Sequence, residues 1–277
     1  MTQTVLITGT STGIGRATAE RFHAAGWNVV ATMRDPGDAG DLDGRPQMLV
    51  TRLDVTDGAS IAGAVDAATE AFGGIDVLVN NAGFGAYGPL EVTPVDVIRR
   101  QFDTNVVGLL EVTKAVVPVM RERGAGAIVN ISSVGGRMTF PLGSLYHGSK
   151  FAVEGLSEAL VYELAPLGIR VKIVEPGLVD TDFAGRSFVL SLDPDGGPYQ
   201  PTVESVLTAF SAMTAQGGAP ATGVAEAIFD AATDGTARLR YVVGDDAAGM
   251  LAAREGLDDI AFLNMIRGSF GLAPDPA

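Results

Sequence analysis

The chain of 277 residues contains no cysteine. Disulfides, thiolate nucleophiles and cysteine-based metal sites are therefore excluded. Its two histidines, His23 and His147, are too few for most histidine-built zinc centres, so no metal is expected. Positive charge is scarce: 19 Lys and Arg stand against 33 Asp and Glu, a formal net charge of -14. A field of that sign repels nucleic acid, and no such partner is expected. Long hydrophobic runs are missing as well. The best, around Val112 to Met120, is broken by Lys114 and Pro118, short of membrane-spanning length. The opening Met1-Thr2-Gln3-Thr4-Val5 carries no basic stretch of the signal-peptide kind. The expectation is a soluble cytoplasmic protein that does not engage a membrane. Aromatic residues make up only 6%.

What remains is a globular balance, 47% hydrophobic and 19% charged, with 36 glycines that suit close packing of helices on a sheet. Val5-Leu6-Ile7-Thr8 reads as a strand buried on both faces. Further strands are expected at 28–33, 48–53, 76–80, 127–132, 170–175 and 240–243. Helices are expected at about 14–25, 57–72, 94–122 (as one long stretch), 145–164 and 221–233, with a helical tail to about 270. Asp57 is an expected N-cap. Alternating strands and helices predict βαβ units, and hence an α/β fold: a doubly wound parallel sheet with helices on both faces. No repeat or linker divides the chain. It reads as one Rossmann-type domain over 1–277, with an inserted loop-helix region at about 183–218.

Gly9-Thr10-Ser11-Thr12-Gly13-Ile14-Gly15 lies between the first strand and its helix. Glycine lets the backbone approach a pyrophosphate, and the helix N-terminus offers free N–H groups and a positive dipole end. This is the expected dinucleotide cradle. The second strand ends Ala31-Thr32-Met33-Arg34, where an acid would bond the ribose of NAD. Arg34 can instead pair with a 2′-phosphate, which predicts NADP(H) over NAD(H). Thr10 and Ser11 are further candidate donors to that phosphate, and Asp35 is the residue that could oppose it. Asp54, followed by Val55, could accept from the adenine amino group or serve only as a turn residue.

Tyr146 and Lys150 stand four residues apart, one turn of one helix face. A phenol titrates near pH 10. A neighbouring ammonium and an oxidised nicotinamide would lower that value and make it a competent acid/base for an alcohol oxygen.

These motifs closely resemble the short-chain dehydrogenase/reductase family over residues 4–182. T-G-x-x-x-G-x-G runs from Thr8 to Gly15, D-V is Asp54-Val55, N-N-A-G is Asn80 to Gly83, and N-V-x-G is Asn105 to Gly108. I-S-S is Ile131 to Ser133, Y-x-x-x-K is Tyr146 to Lys150, and P-G-x-V-x-T is Pro176 to Thr181. The resemblance is to the single-domain branch, and the runs 31–36 and 162–182 resemble hydroxysteroid and retinol dehydrogenases.

The resemblance implies roles at the matching positions. Tyr146 would be the general acid/base and Ser133 would hydrogen-bond the substrate oxygen. Lys150 would bind the nicotinamide ribose and lower the phenol. Asn105 would anchor a water leading from Lys150. Gly9, Gly13, Ile14 and Gly15 would cradle the pyrophosphate. Asn81, Ala82 and Gly83 would run beside the cofactor. Pro176, Gly177, Val179 and Thr181 would meet the nicotinamide. Ser132 is expected to pack, and His147 to be a solvated or interface residue off the catalytic face. Glu175, before Pro176-Gly177, has no account at this level.

Phe84, Tyr87, Met138, Phe140, Leu142 and Phe183 are the candidate pocket walls, mostly apolar, which points to a hydrophobic ketone or secondary alcohol. Two other readings stand beside this one: an acyl-thioester 3-ketoreductase, and a regulator that senses NADP(H) without turnover. The family commonly pairs the helices near 94–122 and 145–165, which implies a homodimer or homotetramer.

Overall fold

The computed structural model describes residues 2–181 and 187–274. Seven parallel strands form the central sheet: β1 (Thr4–Thr8), β2 (Asn28–Met33), β3 (Met48–Arg52), β4 (Val77–Asn80), β6 (Gly126–Ile131), β7 (Ile169–Pro176) and β11 (Arg240–Val243). Their order is β11-β7-β6-β4-β1-β2-β3, so the chain winds outward from β1 in both directions. This is the doubly wound arrangement that the alternating pattern predicts. β1 is buried along its whole length, as its unbroken apolar run requires.

Helices cover both faces. On one, α1 (Gly13–Ala24) contributes Ala19 and Phe22 to a core with Val5, Ile7, Val29 and Val129. A later helix over Ala221–Thr233 adds Val224 and Ile228 to the same core. On the other face lie α2 (Gly58–Phe72), α4 (Leu109–Arg123) and α5 (Ser144–Leu164), closing over Leu6, Val30, Leu78 and Ile128. Asp57 caps α2 as expected, accepting from the N–H groups of Ala59 and Ser60.

One stretch differs from expectation, and two expected helical regions gain detail. The segment 94–122 is α3 (Val95–Phe102), a wider π-helical turn over Asp103–Gly108, then α4. Such turns shift the register of a helix and re-aim its side chains; here the shifted residue is Asn105. The weakly patterned stretch after Thr181 contains a regular helix, α6 (Gln200–Ala215), followed by α7 (Ala221–Thr233). The helical tail is two helices, α8 (Asp245–Gly256) and α9 (Asp259–Ser269).

α6, α8 and α9 bury a third core: Val206, Ala247, Leu251, Phe262, Ile266 and Phe270 close on Val134 and Met138 from the loop after β6. A short parallel pair, β5 (Gly85–Tyr87) with β9 (Phe188–Leu190), lies outside the main sheet. A second pair joins β8 (Val179–Asp180) to β10 (Ala219–Pro220).

Candidate active site

The carboxyl ends of β1, β2, β4, β6 and β7 bring the motif residues to one edge, as expected for a ligand site in an open α/β sheet. After β1 the chain turns into α1 with Gly9 at φ 73° and Gly13 at φ 57°, conformations that side chains resist. A Cβ on Gly15 would sit 2.1 Å from the Gly9 carbonyl oxygen and 2.5 Å from Asn81 Nδ2. The turn is therefore closed to any side chain. Asn81 holds it from the next strand, donating from Nδ2 to the carbonyls of Thr8 (2.8 Å) and Gly9 (3.0 Å). The Thr8 hydroxyl accepts from the N–H groups of Asn81 and Ala82, both at 3.0 Å. No side chain caps the N-terminus of α1, and its first turn has no acidic residue. These are the conditions under which a helix start accepts a phosphate, so the chain fits a dinucleotide.

Around that cradle the candidates divide. Arg34 is exposed, Ser11 is half-buried, and neither makes an ion pair or side-chain hydrogen bond among the described residues. Asp35 is occupied: its carboxylate accepts from the Gly37 N–H at 2.9 Å. Thr10 departs from expectation. Its hydroxyl is fully buried and donates to the Thr32 carbonyl at 3.1 Å, so it does not face a phosphate. Asp54 closes a turn, its Oδ1 accepting from the Thr56 N–H (2.9 Å) and hydroxyl (2.8 Å). Val55 is buried beside it.

At the other end, Tyr146 and Lys150 share a face of α5, with the Lys150 Nζ 5.8 Å from the phenol ring centre. Lys150 donates to the Ile131 carbonyl at 2.8 Å. Burial pulls its ammonium down to about 8, with the Glu154 carboxylate opposing. Burial likewise raises the Tyr146 phenol, and a hydrogen bond with Ser133 partly offsets the rise. In the protein alone burial, not the Lys150 ammonium, sets the direction. Desolvation wins because burial of the half-buried ring disfavours the charged phenolate.

Ser133 also accepts from the Gly135 N–H at 3.0 Å. Asn105 spends its amide on the structure: Nδ2 donates to the Phe84 carbonyl (2.8 Å) and the Ser149 hydroxyl (3.2 Å), while Oδ1 accepts from the Phe84 N–H (3.0 Å). Gln101, one turn earlier, repeats the pattern. It donates to Phe84 O (2.9 Å) and Ser149 Oγ (3.2 Å), and it accepts from Ala86 N (2.6 Å). Together they clamp the segment after β4 to α5. Spacing four residues before Asn105 could have revealed Gln101.

His147 is the clearest correction. It is neither solvated nor at a surface, with 1% of its area exposed. The ring stands inside the loop 133–143, with Nδ1 3.0 Å from the Gly135 carbonyl and Nε2 accepting from the Phe140 N–H at 3.0 Å. Only the neutral ring with its proton on Nδ1 satisfies both bonds. Burial lowers its pKa to about 4. A Cβ on Gly135 or Gly143 would come within 2.6 Å or 2.5 Å of the ring, so both positions make room for it.

The walls also sort themselves. Tyr87 stacks on Tyr146 at 5.5 Å between ring centres and on Phe188 at 5.1 Å, and Phe210 meets it edge-on at 6.1 Å. Phe140 packs on His147 and Phe270. Met138 is buried in the third core, and Leu142 packs against that core. The Phe84 ring lies 5.0 Å from the Arg100 guanidinium and is not among the rings around Tyr146. Phe183 lies outside the described residues. Phe188, Phe210 and Phe270 were not singled out from sequence, because they come from segments far apart in the chain.

Ser133 Oγ lies 3.4 Å from the Pro176 carbonyl. Thr181 approaches the cradle: a Cβ on Gly13 would lie 3.5 Å from its Cγ2. Val179 packs on the first core. Ser132 is buried as expected, and its hydroxyl lacks a hydrogen-bond partner. Among the described residues no group of His, Asp and Glu is arranged to hold a metal ion, and no helix is long and apolar enough to cross a membrane.

Comparison with known proteins gives the same fold. The family model for short chain dehydrogenases matches residues 3–188. An uncharacterised oxidoreductase of Schizosaccharomyces pombe is 42% identical over 245 residues, which is 87% of this chain and 100% of the relative. A 3-ketodihydrosphingosine reductase of Bacteroides thetaiotaomicron is 41% identical over 197 residues, 71% of each. The crystal structure of a short-chain dehydrogenase from Streptomyces avermitilis superposes with a TM-score of 0.80 at 37% identity, covering 92% of this chain and 93% of that one. The chain belongs to the short-chain dehydrogenase/reductase family and is an NAD(P)-dependent oxidoreductase.

Proposed function

We propose that the protein exchanges a hydride between NADP(H) and a hydrophobic ketone or secondary alcohol, with Tyr146 as the acid/base. The observation that carries this reading is the hydrogen-bonded pair Tyr146 and Ser133, with the Tyr87 ring stacked on Tyr146, at the carboxyl edge of the sheet. When bound, the nicotinamide supplies the hydride for reduction and accepts it for oxidation.

The chain's own groups do the rest. Ser133 and Tyr146 are two donors for one carbonyl oxygen, placed to stabilise the charge that develops on it. In reduction the Tyr146 hydroxyl gives that oxygen its proton; in oxidation the phenolate takes it back. A phenol raised by burial is protonated at neutral pH and so ready to donate. Lys150 supplies positive charge to stabilise the phenolate and a donor for the nicotinamide ribose. Asn105 and Gln101 hold the segment after β4 against α5, so that Asn81, Ala82 and Gly83 flank the cofactor. Pro176, Gly177, Val179 and Thr181 face the nicotinamide end.

Gly9, Gly13, Ile14 and Gly15 take the pyrophosphate. Arg34 and Ser11 take the 2′-phosphate, and this choice of NADP(H) is supported by their lack of other partners. Asp54 and Val55 bound the adenine end. Tyr87, Phe140 and Phe188 form the substrate wall, which supports an apolar carbonyl compound. The 3-ketoreductase activity in the Bacteroides relative's name is of the same kind.

The reading treats the chain as one cytoplasmic domain that forms a dimer or tetramer. Exposed Val95, Val107, Phe151 and Tyr162 on the helices near 94–122 and 145–164 support that association. The test is absorbance at 340 nm with a panel of bulky ketones and alcohols and both cofactors. Consumption of NADPH by a bulky ketone, with NADH at least about tenfold poorer in kcat/KM, is the expected outcome. Preference for NADH would overturn the cofactor assignment. Binding of NADPH with no turnover on any member would favour a sensor.

A further inference from the structure

Behind Lys150 the structure buries two carboxyl groups that the reaction does not use. Glu154 lies one turn past Lys150 on α5, and Glu175 lies at the end of β7; they are 5% and 0% exposed. Each has one oxygen held by arginine. Arg240 Nε lies 3.0 Å from Glu154 Oε2 and 3.4 Å from Glu175 Oε1, and Arg137 lies 3.2 Å from Glu175 Oε1. Their remaining oxygens, Glu154 Oε1 and Glu175 Oε2, are buried without a partner among the protein's donors. Arg240 Nε bridges the two carboxyl groups, and the charge of Glu154 acts on Glu175 to raise it.

Two ionised carboxylates buried on one arginine would leave both free oxygens unsatisfied and repel. One proton between them removes both problems, because the acid form of one donates to the other. A neutral pair would instead leave Arg240 without a buried anion. The remaining charged groups are far more exposed: Glu158 meets Arg240 at 52% exposure and Glu255 meets Arg137 at 74%. The groups facing the pair are therefore Lys150 and Glu158 on α5, Arg137 from the loop after β6, Arg240 on β11 and Glu255 on α8. Ser132, whose hydroxyl is also unpartnered, lies on the same side. A Cβ on Gly136 would touch Ser132 Oγ at 2.6 Å and Glu154 Cγ at 3.0 Å.

We propose that Glu154 and Glu175 form a proton-binding site: they share one proton, and the single charge left on the pair is the buried counter-charge for Lys150. Burial and the neighbouring Glu154 raise Glu175 to about 7, while Lys150 stands at about 8. The two titrations are therefore linked. As pH rises and the pair gives up its proton, a second negative charge appears behind Lys150 and helps to retain the ammonium. Glu154 and Glu175 are positioning residues that act through Lys150. That consequence rests on the role proposed for Lys150; the shared proton does not.

The experiment needs neither substrate nor turnover. NMR of side-chain carboxyl carbons in the isolated protein should show one carboxyl titrating near 7. In Glu175→Gln that signal should be absent. In Glu154→Gln its midpoint should fall by about one unit or more. All carboxyls ionised at pH 6, or a midpoint unmoved in Glu154→Gln, would overturn the shared proton. The chain has only three lysines, Lys114, Lys150 and Lys172, so ε-carbon labelling reads Lys150 directly. Its midpoint should drop by about one unit in Glu154→Gln. A purely structural brace would lower Tm and leave that midpoint in place, which would overturn the link to Lys150. If both titrations behave as expected in a protein that reduces no ketone, the proton site stands and the proposed reaction falls.

Discussion

At the turn after β1 the site is made of backbone: three glycines, an uncapped helix start, and an asparagine that holds the turn in shape. At the turn after β6 it is made of side chains. In the proposed reaction Ser133, Tyr146 and Lys150 carry the chemistry, and His147 braces the loop that begins at Ser133. The difference follows from the ligands. A pyrophosphate is a diffuse anion that many N–H groups can share, so the chain brings its backbone close and removes side chains. A carbonyl carbon needs one donor geometry and one proton, which only particular side chains supply. The two ends should therefore fail differently.

Tyr146→Phe is the largest test of that separation. It should lower kcat by about 10²–10³ or more, while the Kd for NADPH, read by fluorescence titration, stays within about twofold. A variant with near-normal kcat would remove Tyr146 from the chemistry.

His147→Leu should follow. It leaves the Gly135 carbonyl and the Phe140 N–H buried without partners, at a cost of about 2–4 kcal/mol in stability. KM for the carbonyl substrate should rise with the Kd for NADPH unchanged, because the loop belongs to one end only. The pH dependence has a definite sign. The folded ring sits at about 4, below its ordinary 6.5. Its stabilisation is thus complete above 6.5 and is lost as pH falls through 4. Urea denaturation at stepped pH should show this acid slope in the wild type, and a shallower slope in the variant.

Gly15→Ala probes the opposite end. The added Cβ meets Gly9 and Asn81, which should cost about 1–3 kcal/mol and weaken NADPH by about tenfold or more. Turnover at saturating cofactor should largely survive; its collapse would mean that the two ends are not separable. The smallest effect is expected at Arg34→Ala, a roughly tenfold fall in the NADPH-to-NADH ratio of kcat/KM. An unchanged ratio would assign the 2′-phosphate to other groups.

Much of the nucleotide end was legible in the residues. A buried strand, a glycine-rich turn and a helix start are consecutive in the chain, so their geometry is local. The Tyr146–Lys150 pair was legible for the same reason, since one helical turn fixes its spacing. Other features hid because local patterns are ambiguous. His147 shares its helix with Tyr146, and its neighbours there suggested an outward residue. The loop that wraps it is closed by Gly135 and Gly143, which sequence alone does not mark as neighbours of one ring. Thr10 looked like a phosphate donor, but register turns its hydroxyl to Thr32.

Sequence by itself determined the α/β class, the order of strands and helices along the chain, the glycine turn before the first helix, and the one-turn spacing of Tyr146 and Lys150, because each depends on periodicity or on contacts within a few residues. Tertiary structure alone decided the aromatic stack of Tyr87 with Phe188 and Phe210, and the meeting of Glu154, Glu175 and Arg240. Those groups are separated by long stretches of chain. Their energies depend on distance and desolvation, which exist only once β5, β7, β11 and the C-terminal helices have packed.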